Sequence, residues 1–251
     1  MTLISLLIKC ENMSIITTTL PDDAIASPVA DANPIDIRNN RTLRPKGLAR
    51  RQKIMDAAEE VFSERGYYGS SLRDVSARSG ASLGVLTHHF PSKELLFYEV
   101  VDRKLDLLKE IVRSSLDTAK NEGGNYTDII EAFIKPFLRA CVDTQSEIRN
   151  YIKLTSHFMS SYEVAEINPA LSRLLSITEV FSDALRDSMP DMPEKQLRIA
   201  VYLIEAALIF MVQDNGFIGR ITKGDLSSQA INELIAPAAA FFSGGLRALQ
   251  A

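Results

Sequence analysis

The stretch ARRQKIMDAAEEVFSERGYYGSSLRDVSARSGASLGVLTHHFPSKELLFYEVV, from Ala49 to Val101, narrows the fold more than any other feature. It places a helix-boundary signal wherever a set of short crossed helices needs one. Ile54, Ala57, Ala58, Val61 and Phe62 recur at i, i+3, i+4, i+7 and i+8, which predicts one apolar helix stripe with Arg50, Arg51, Lys53 and Glu60 turned away from it. Gly66 supplies the left-handed residue that closes the last turn, and Tyr67 and Tyr68 follow as bulky covers for a small core. Ser71 with Asp74 three residues on reads as a capping box, and Leu72, Val75 and Ala77 are the inward positions of the helix it starts. Gly80 and Ala81 make a tight turn and Ser82 caps the next helix, Leu83 to about His89. That helix is too short to form without the packing of Val85, Leu86 and Phe90. Pro91 and Ser92 end it and start a longer one from Lys93, with Leu95, Leu96, Val100, Leu105 and Leu108 apolar. The unit is a helix-turn-helix, whose second helix has the size to enter a DNA major groove.

The string AAEEVFSERGYYGSSLRDVSARSGASLGVLTHHFPSKELL resembles the DNA-binding domain of the TetR family of bacterial transcriptional regulators, over residues 48 to 101. The likeness rests on the ordered apolar residues of the first helix, the Gly66-Tyr67 pair, the small-residue cap at Ser71, the turn Ser79-Gly80-Ala81-Ser82 with Gly84 beyond it, and the HFPSKE segment. It implies a homodimer on a palindromic operator, in which Ser82, Leu83, Gly84, Val85, Thr87 and His88 approach bases or phosphates and Ser71, Arg73 and Lys93 touch the backbone. Thr87 stands where most relatives carry a tyrosine that reaches a phosphate, so its hydroxyl covers less distance. Ala81, where a valine is usual, thins the packing of the turn. The resemblance also implies an effector pocket in a larger helical domain, and repression relieved by the bound effector.

Charge is divided along the chain. The net charge is −4, yet residues 38 to 104 hold thirteen Lys and Arg against eight Asp and Glu, and the remainder is acidic. Arg38, Arg41, Arg44, Lys46, Arg50, Arg51 and Lys53 form a run without an acid, ahead of and into the first helix. Arg44, Lys46 and Arg50 are therefore candidate phosphate contacts of an arm, while the part before Arg44 fits a solvated leader equally well. Residues 1 to 43 read as a disordered leader in which Met13 is an alternative start, residues 44 to 93 as the reading head, and residues 94 to 251 as the effector-binding and dimerisation body. Cys10 and Cys141 share no motif, which fits a reducing cytoplasm. The opening MTLISLLIKCENM lacks the features of a secretion signal and is too short to span a bilayer, so no membrane partner is expected.

Beyond Val101 the pattern is helical, predicting segments of roughly 92 to 120, 126 to 144, 147 to 163, 170 to 188, 194 to 218 and 226 to 249, and the whole chain reads as all-α. In VYLIEAALIFMV, from Val201 to Val212, only Glu205 is charged, so that helix needs cover on more than one side. Ile231, Leu234, Ile235, Ala238, Phe241, Phe242 and Leu249 give the last segment one broad apolar face. Segments 194 to 218 and 226 to 249 are expected to pair with their copies in a homodimer; core helices of a monomer are the alternative.

Two patterns suggest chemistry that their context removes. Gly80-Ala81-Ser82-Leu83-Gly84 matches the G-x-S-x-G of a hydrolase nucleophile elbow, but that elbow needs a preceding strand and a helix precedes here. His88 and His89 are adjacent on a helix, about 100° apart, and cannot share a metal. His89 reads as a packing residue. The reading is non-enzymatic, with no cofactor and no metal. For an effector, Phe137, Cys141, His157, Met159, Tyr162, Phe210, Met211 and Asn215 lie on segments that could converge, although each also suits a core; His157 is singled out as one polar ring among apolar neighbours. The helix-disfavouring Asp214-Asn215-Gly216 suggests a break or pocket rim. A body that recruits a protein partner in place of a small molecule is the second functional class.

Overall fold

A computed structural model of the chain describes residues 35–36, 41–42, 45–159, 168–214, 216–226 and 228–250. Within residues 1–43, Ile35–Asp36 (β1) pairs antiparallel with Arg41–Thr42 (β2), Ile35 opposite Thr42. Apart from that ladder, the regular elements among the described residues are all helical.

The reading-head helices are α1, Pro45–Arg65; α2, Leu72–Ser79; and α3, Leu83–His89. Proline at the first helical position lets α1 begin about two and a half turns before Ile54, where the apolar stripe starts, so Lys46 and Arg50 are helical rather than part of an arm. Gly66 (φ 68°) and Gly80 (φ 68°) terminate α1 and α2 in the left-handed conformation. At the start of α2 the Ser71 hydroxyl accepts from Asp74 N–H at 3.2 Å, and the Asp74 carboxylate accepts in return from Ser71 N–H at 2.9 Å. Ser82 accepts from Val85 N–H at the start of α3. Val75, Leu86 and Phe90 are buried, whereas Ala77, expected to point inward, is exposed: it lies two residues past Val75, about 200° around the helix. Tyr67 is buried and Tyr68 is not.

The body consists of α4, Lys93–Arg103; α5, Leu105–Asn121; α6, Tyr126–Val142; α7, Arg149–Met159; α8, Asn168–Ser188; α9, Glu194–Val212; α10, Phe217–Ile221; a 3-10 turn at Ser228–Leu234; and α11, Ile235–Gln250. The segment expected to run from 92 to 120 is two helices, parted at Lys104 (φ −114°, ψ 5°). No glycine or proline marks that break. Lys104 Nζ donates to Glu59 at 2.7 Å and to the Glu147 carbonyl at 2.6 Å, a tertiary anchor invisible to local patterning. The segment expected from 194 to 218 ends at Val212, where Asp214 accepts from Gly216 N–H at 3.0 Å and Ile218 N–H at 3.1 Å and so begins α10. A 3-10 turn replaces the first part of the last expected segment.

Pro136 lies inside α6 and cannot donate to the Ala132 carbonyl. Ser115 of α5 supplies the missing donor, its hydroxyl reaching that carbonyl at 2.7 Å. The described residues from Pro45 onward share one core. Phe97 of α4 contacts Phe62 and Tyr67 at 5.1 and 5.0 Å and Phe158 of α7 at 5.1 Å, tying head to body through rings at edge-on and tilted angles. Deeper in the body, Phe133 and Phe181 stack at 3.9 Å.

Candidate DNA-reading face and effector cavity

The short helix α3 hides Leu86 and turns Ser82, Leu83, Gly84 and His88 to solvent, with Val85 and Thr87 half-buried at the edges. Gly84 has nothing within 4 Å of where a Cβ would sit, which leaves this face open to close approach. The Thr87 hydroxyl donates to the Gly84 carbonyl at 3.3 Å, so its first commitment is to its own helix. His88 is exposed and His89 half-buried. Ser82, preceded by α2 and a turn, is a helix cap.

Geometry sorts the basic residues of the head into two groups. Lys46, Arg50, Lys53 and Arg73 are exposed and make no ion pair among the described residues. The first three follow each other at four- and three-residue spacing along one edge of α1. The others are engaged internally. Arg51, expected to face away, pairs with Glu99 and lies 4.8 Å over the Phe90 ring, and burial lowers its pKa. That contact sets this stretch of α1 beside the end of α3. Arg65 pairs with Asp74, and Arg78 with Glu60 and Glu64. Arg103 and Lys104 both hold the buried Glu59 carboxylate, at 2.5 and 2.7 Å.

Lys93 is the clearest departure from expectation. Its ammonium donates to the Tyr67 carbonyl at 2.9 Å and the Ser70 carbonyl at 3.2 Å and sits 4.0 Å from the Tyr67 ring centre; desolvation lowers its pKa. A cation so held fixes the loop before α2 and is not extended toward a phosphate. Ser71 likewise spends its hydroxyl on Asp74, at 2.5 Å, although it remains exposed. Arg44 lies outside the described residues.

In the body, a cavity of about 80 Å³ opens among Leu108 of α5, Phe133 and Phe137 of α6, Ile152, Thr155, Ser156 and Met159 of α7, Leu174, Ile177 and Thr178 of α8, and Glu205, Leu208, Ile209 and Val212 of α9. Of the expected effector residues, it brings together Phe137 and Met159. Tyr162 and Asn215 lie outside the described residues. Cys141, His157, Phe210 and Met211 are off the wall, for reasons of helical phase. On α7 the inward positions are 152, 155, 156 and 159, and His157 is rotated about 100° from Ser156. On α9 they are 205, 208, 209 and 212, so Phe210 faces outward, 61% exposed, against Phe217. Burial pushes the Cys141 thiol up to about 11, and the His157 imidazole is lowered first by burial and then by Lys153.

Glu205 is the wall residue that patterning passed over. It was visible as the lone charge of an apolar run, but a dimer-facing helix and a cavity wall look alike in one dimension. Thr178 Oγ1 donates to its carboxyl at 3.1 Å. Desolvation raises its pKa to about 7, the Thr178 hydrogen bond offsetting part of that rise. Among the described residues no group of His, Cys, Asp and Glu is placed to hold a metal ion.

The outward side of α9 carries Ile199, Tyr202, Leu203 and Phe210, all exposed, while Leu197, Ala200, Val201, Ile204 and Leu208 are buried. On α11, Ile235, Ala239, Ser243 and Leu246 are buried and Phe241 is 78% exposed. The single broad face expected there is thus split, with Phe241 on the side away from Ile235.

Comparison with known proteins agrees with this architecture. Residues 54–100 match the description "Bacterial regulatory proteins, tetR family", and residues 131–245 match "Tetracyclin repressor-like, C-terminal domain". The chain is 36% identical over 96 residues to the HTH-type transcriptional activator FasR of Mycolicibacterium smegmatis, covering 38% of this chain and 42% of that one. It is 40% identical over 73 residues to the HTH-type transcriptional repressor KstR2 of Rhodococcus jostii, covering 28% and 36%. These matches span less than half the length of either relative. The solved structure of AibR in complex with isovaleryl coenzyme A and operator DNA superposes with a TM-score of 0.56 at 16% identity, covering 74% of this chain and 96% of that one, a likeness of fold. With a capped helix-turn-helix over the N-terminal match and a helical body over the C-terminal one, the chain belongs to the TetR family of bacterial regulatory proteins.

Proposed function

We propose that this chain is a ligand-responsive transcriptional repressor of the cytoplasm. It binds a palindromic operator as a homodimer and leaves it when a small, largely apolar molecule enters the body cavity. The observation that carries the reading is the pairing of an open α3 face with four exposed cations, Lys46, Arg50, Lys53 and Arg73, that no acid of the described head neutralises. Residues 44–93 act as the head and 94–251 as the body, with 1–43 a leader. The exposed apolar residues of α9 and Phe241 of α11 support pairing with a second copy, which sets two α3 helices at the half-site spacing of one DNA turn. No described helix is long and apolar enough to cross a membrane.

Helix α7 supports a route from cavity to head. Ile152, Thr155, Ser156 and Met159 line the cavity, while Tyr151 donates to the Val101 carbonyl of α4 at 2.5 Å and Phe158 meets Phe97. A ligand that shifts α7 therefore shifts α4. It acts only by binding the released state more tightly than the operator-bound one, so ligand and operator affinities are reciprocally coupled. Nuclease protection on the DNA upstream of the chain's own gene tests the reading. A protected pseudo-palindrome is expected, and a folded, dimeric sample that protects nothing there and binds no site selected from random DNA contradicts it.

A further inference from the structure

The cavity's polar groups are arranged so as to select the chemistry of its occupant. The Thr155 hydroxyl donates to the Tyr151 and Ile152 carbonyls at 3.0 and 3.1 Å, and the Ser156 hydroxyl to the Lys153 carbonyl at 2.8 Å. Thr178 donates to Glu205 Oε2 and leaves Oε1 to face the cavity that Glu205 lines. The printed hydroxyl donations of the described wall all go to protein acceptors, and once Glu205 is ionised its carboxylate presents an acceptor to a guest. Among the described residues, no Lys, Arg or His lies on the wall to receive an anion.

We infer that the effector is an apolar amine, seated with its hydrocarbon among Leu108, Phe133, Ile177 and Leu208 and its protonated nitrogen on Glu205. This rests on the regulatory reading above and gives the ligand of that same site a chemical class. A charge-assisted hydrogen bond from the amine stabilises the ionised Glu205 carboxylate, which Thr178 supports only in part. A carboxylate head meets repulsion in the same place.

The pH dependence has a definite sign. The described groups that line the cavity with Glu205 from α5, α6, α7 and α8 do not titrate in this range; His157 and Lys153 of α7 and Cys141 of α6 lie off the wall. Below about 7 Glu205 is protonated, and above it the carboxylate is available to a cation. Alkylamines keep their charge across this range, so amine affinity rises with pH as Glu205 ionises.

Hexylamine, hexanol and hexanoate, which share a chain and differ in the head group, are the probes, titrated calorimetrically into the full chain at about pH 6 and about pH 8.5. Hexylamine is expected to bind about tenfold more tightly at the higher pH and hexanoate more weakly than hexanol there. Glu205→Gln removes the amine preference and its pH dependence and keeps hexanol binding. Thr178→Val, which takes away the hydrogen bond favouring the ionised form, moves the midpoint of the amine profile upward. This second variant carries the test if the first does not fold. Hexanoate binding as tightly as hexylamine at high pH, an amine preference that survives in Glu205→Gln, an unmoved midpoint in Thr178→Val, or no binding of any probe overturns the assignment. Operator binding by the ligand-free protein, measured on the same samples, reports on the regulatory reading separately.

Discussion

The head and the body of this chain use their polar residues in opposite ways. In the head, the polar side chains that mark the helix starts act locally: Ser71, Ser82 and Ser92 each cap the helix that follows. In the body, the informative polar groups are inside, and each depends on a partner far along the chain, such as Ser115 on Ala132, Thr178 on Glu205 and Lys104 on Glu59. Local chemistry can be read from spacing. Distant pairing needs the fold.

The largest expected effect falls where the two regions meet. Phe97→Ala removes the ring that touches Phe62, Tyr67 and Phe158 and is expected to cost about 4 kcal/mol. Because that ring joins head and body within one shared core, urea unfolding followed by helical signal is expected to remain one transition at lower midpoint; a separate head transition would break the comparison by making the head independent.

The next effect distinguishes the body by its pH response. Glu205 has a folded-state pKa raised from the ordinary 4.5 to about 7, so the folded chain holds a proton that the unfolded chain releases between those values. Its contribution therefore favours folding least above pH 7, and stability declines as pH rises across that window, by up to about 3 kcal/mol. Glu205→Gln flattens this part of the stability profile; an unchanged profile would place Glu205 in water.

A smaller effect tests the repair of α6. Ser115→Ala leaves the Ala132 carbonyl without a donor and is expected to cost about 1 to 2 kcal/mol. Restoring the helix's own donor with Pro136→Ala should make the serine change nearly neutral, a non-additivity that a double-mutant cycle measures. Simple additivity would mean that the carbonyl finds another donor.

Smallest of all is the loss of a single cap. Ser71→Ala is expected to lower stability by about 1 kcal/mol, from thermal unfolding. Lys93→Met, in contrast, is expected to loosen the Tyr67–Ser70 loop and lower stability while leaving the salt dependence of DNA binding unchanged. A reduced salt slope would return Lys93 to the phosphate contacts.

The same division explains what the sequence made legible. The helix-turn-helix could be laid out almost residue by residue, since Gly66, Ser71, Gly80 and Ser82 act through geometry within a turn of themselves. The start of α1 and the break at Lys104 were missed. The first depends on Pro45 extending a helix beyond its apolar stripe, the second on ion pairs to Glu59 across the core. In the body, segment count and approximate spans followed from periodicity and breakers, while cavity membership did not. Met159 and Phe137 line the cavity and Phe210 and His157 do not, because one residue of helical phase separates wall from surface. Charge counting had the corresponding weakness in the head: it made the head basic without separating Arg73 from Arg78, which two glutamates hold.

That separation is the claim most open to direct test. The salt dependence of operator affinity should be measured for the wild type, Arg73→Ala and Arg78→Ala. If Lys46, Arg50, Lys53 and Arg73 of two protomers each neutralise a phosphate, log Kd changes with log salt at a slope of about 7, and Arg73→Ala lowers it by about 2, one contact per protomer. Arg78→Ala is expected to leave the slope unchanged. A slope that falls as much for Arg78 as for Arg73 would contradict the account, because it would mean that the head binds DNA by its total charge and not by the cations its fold leaves exposed.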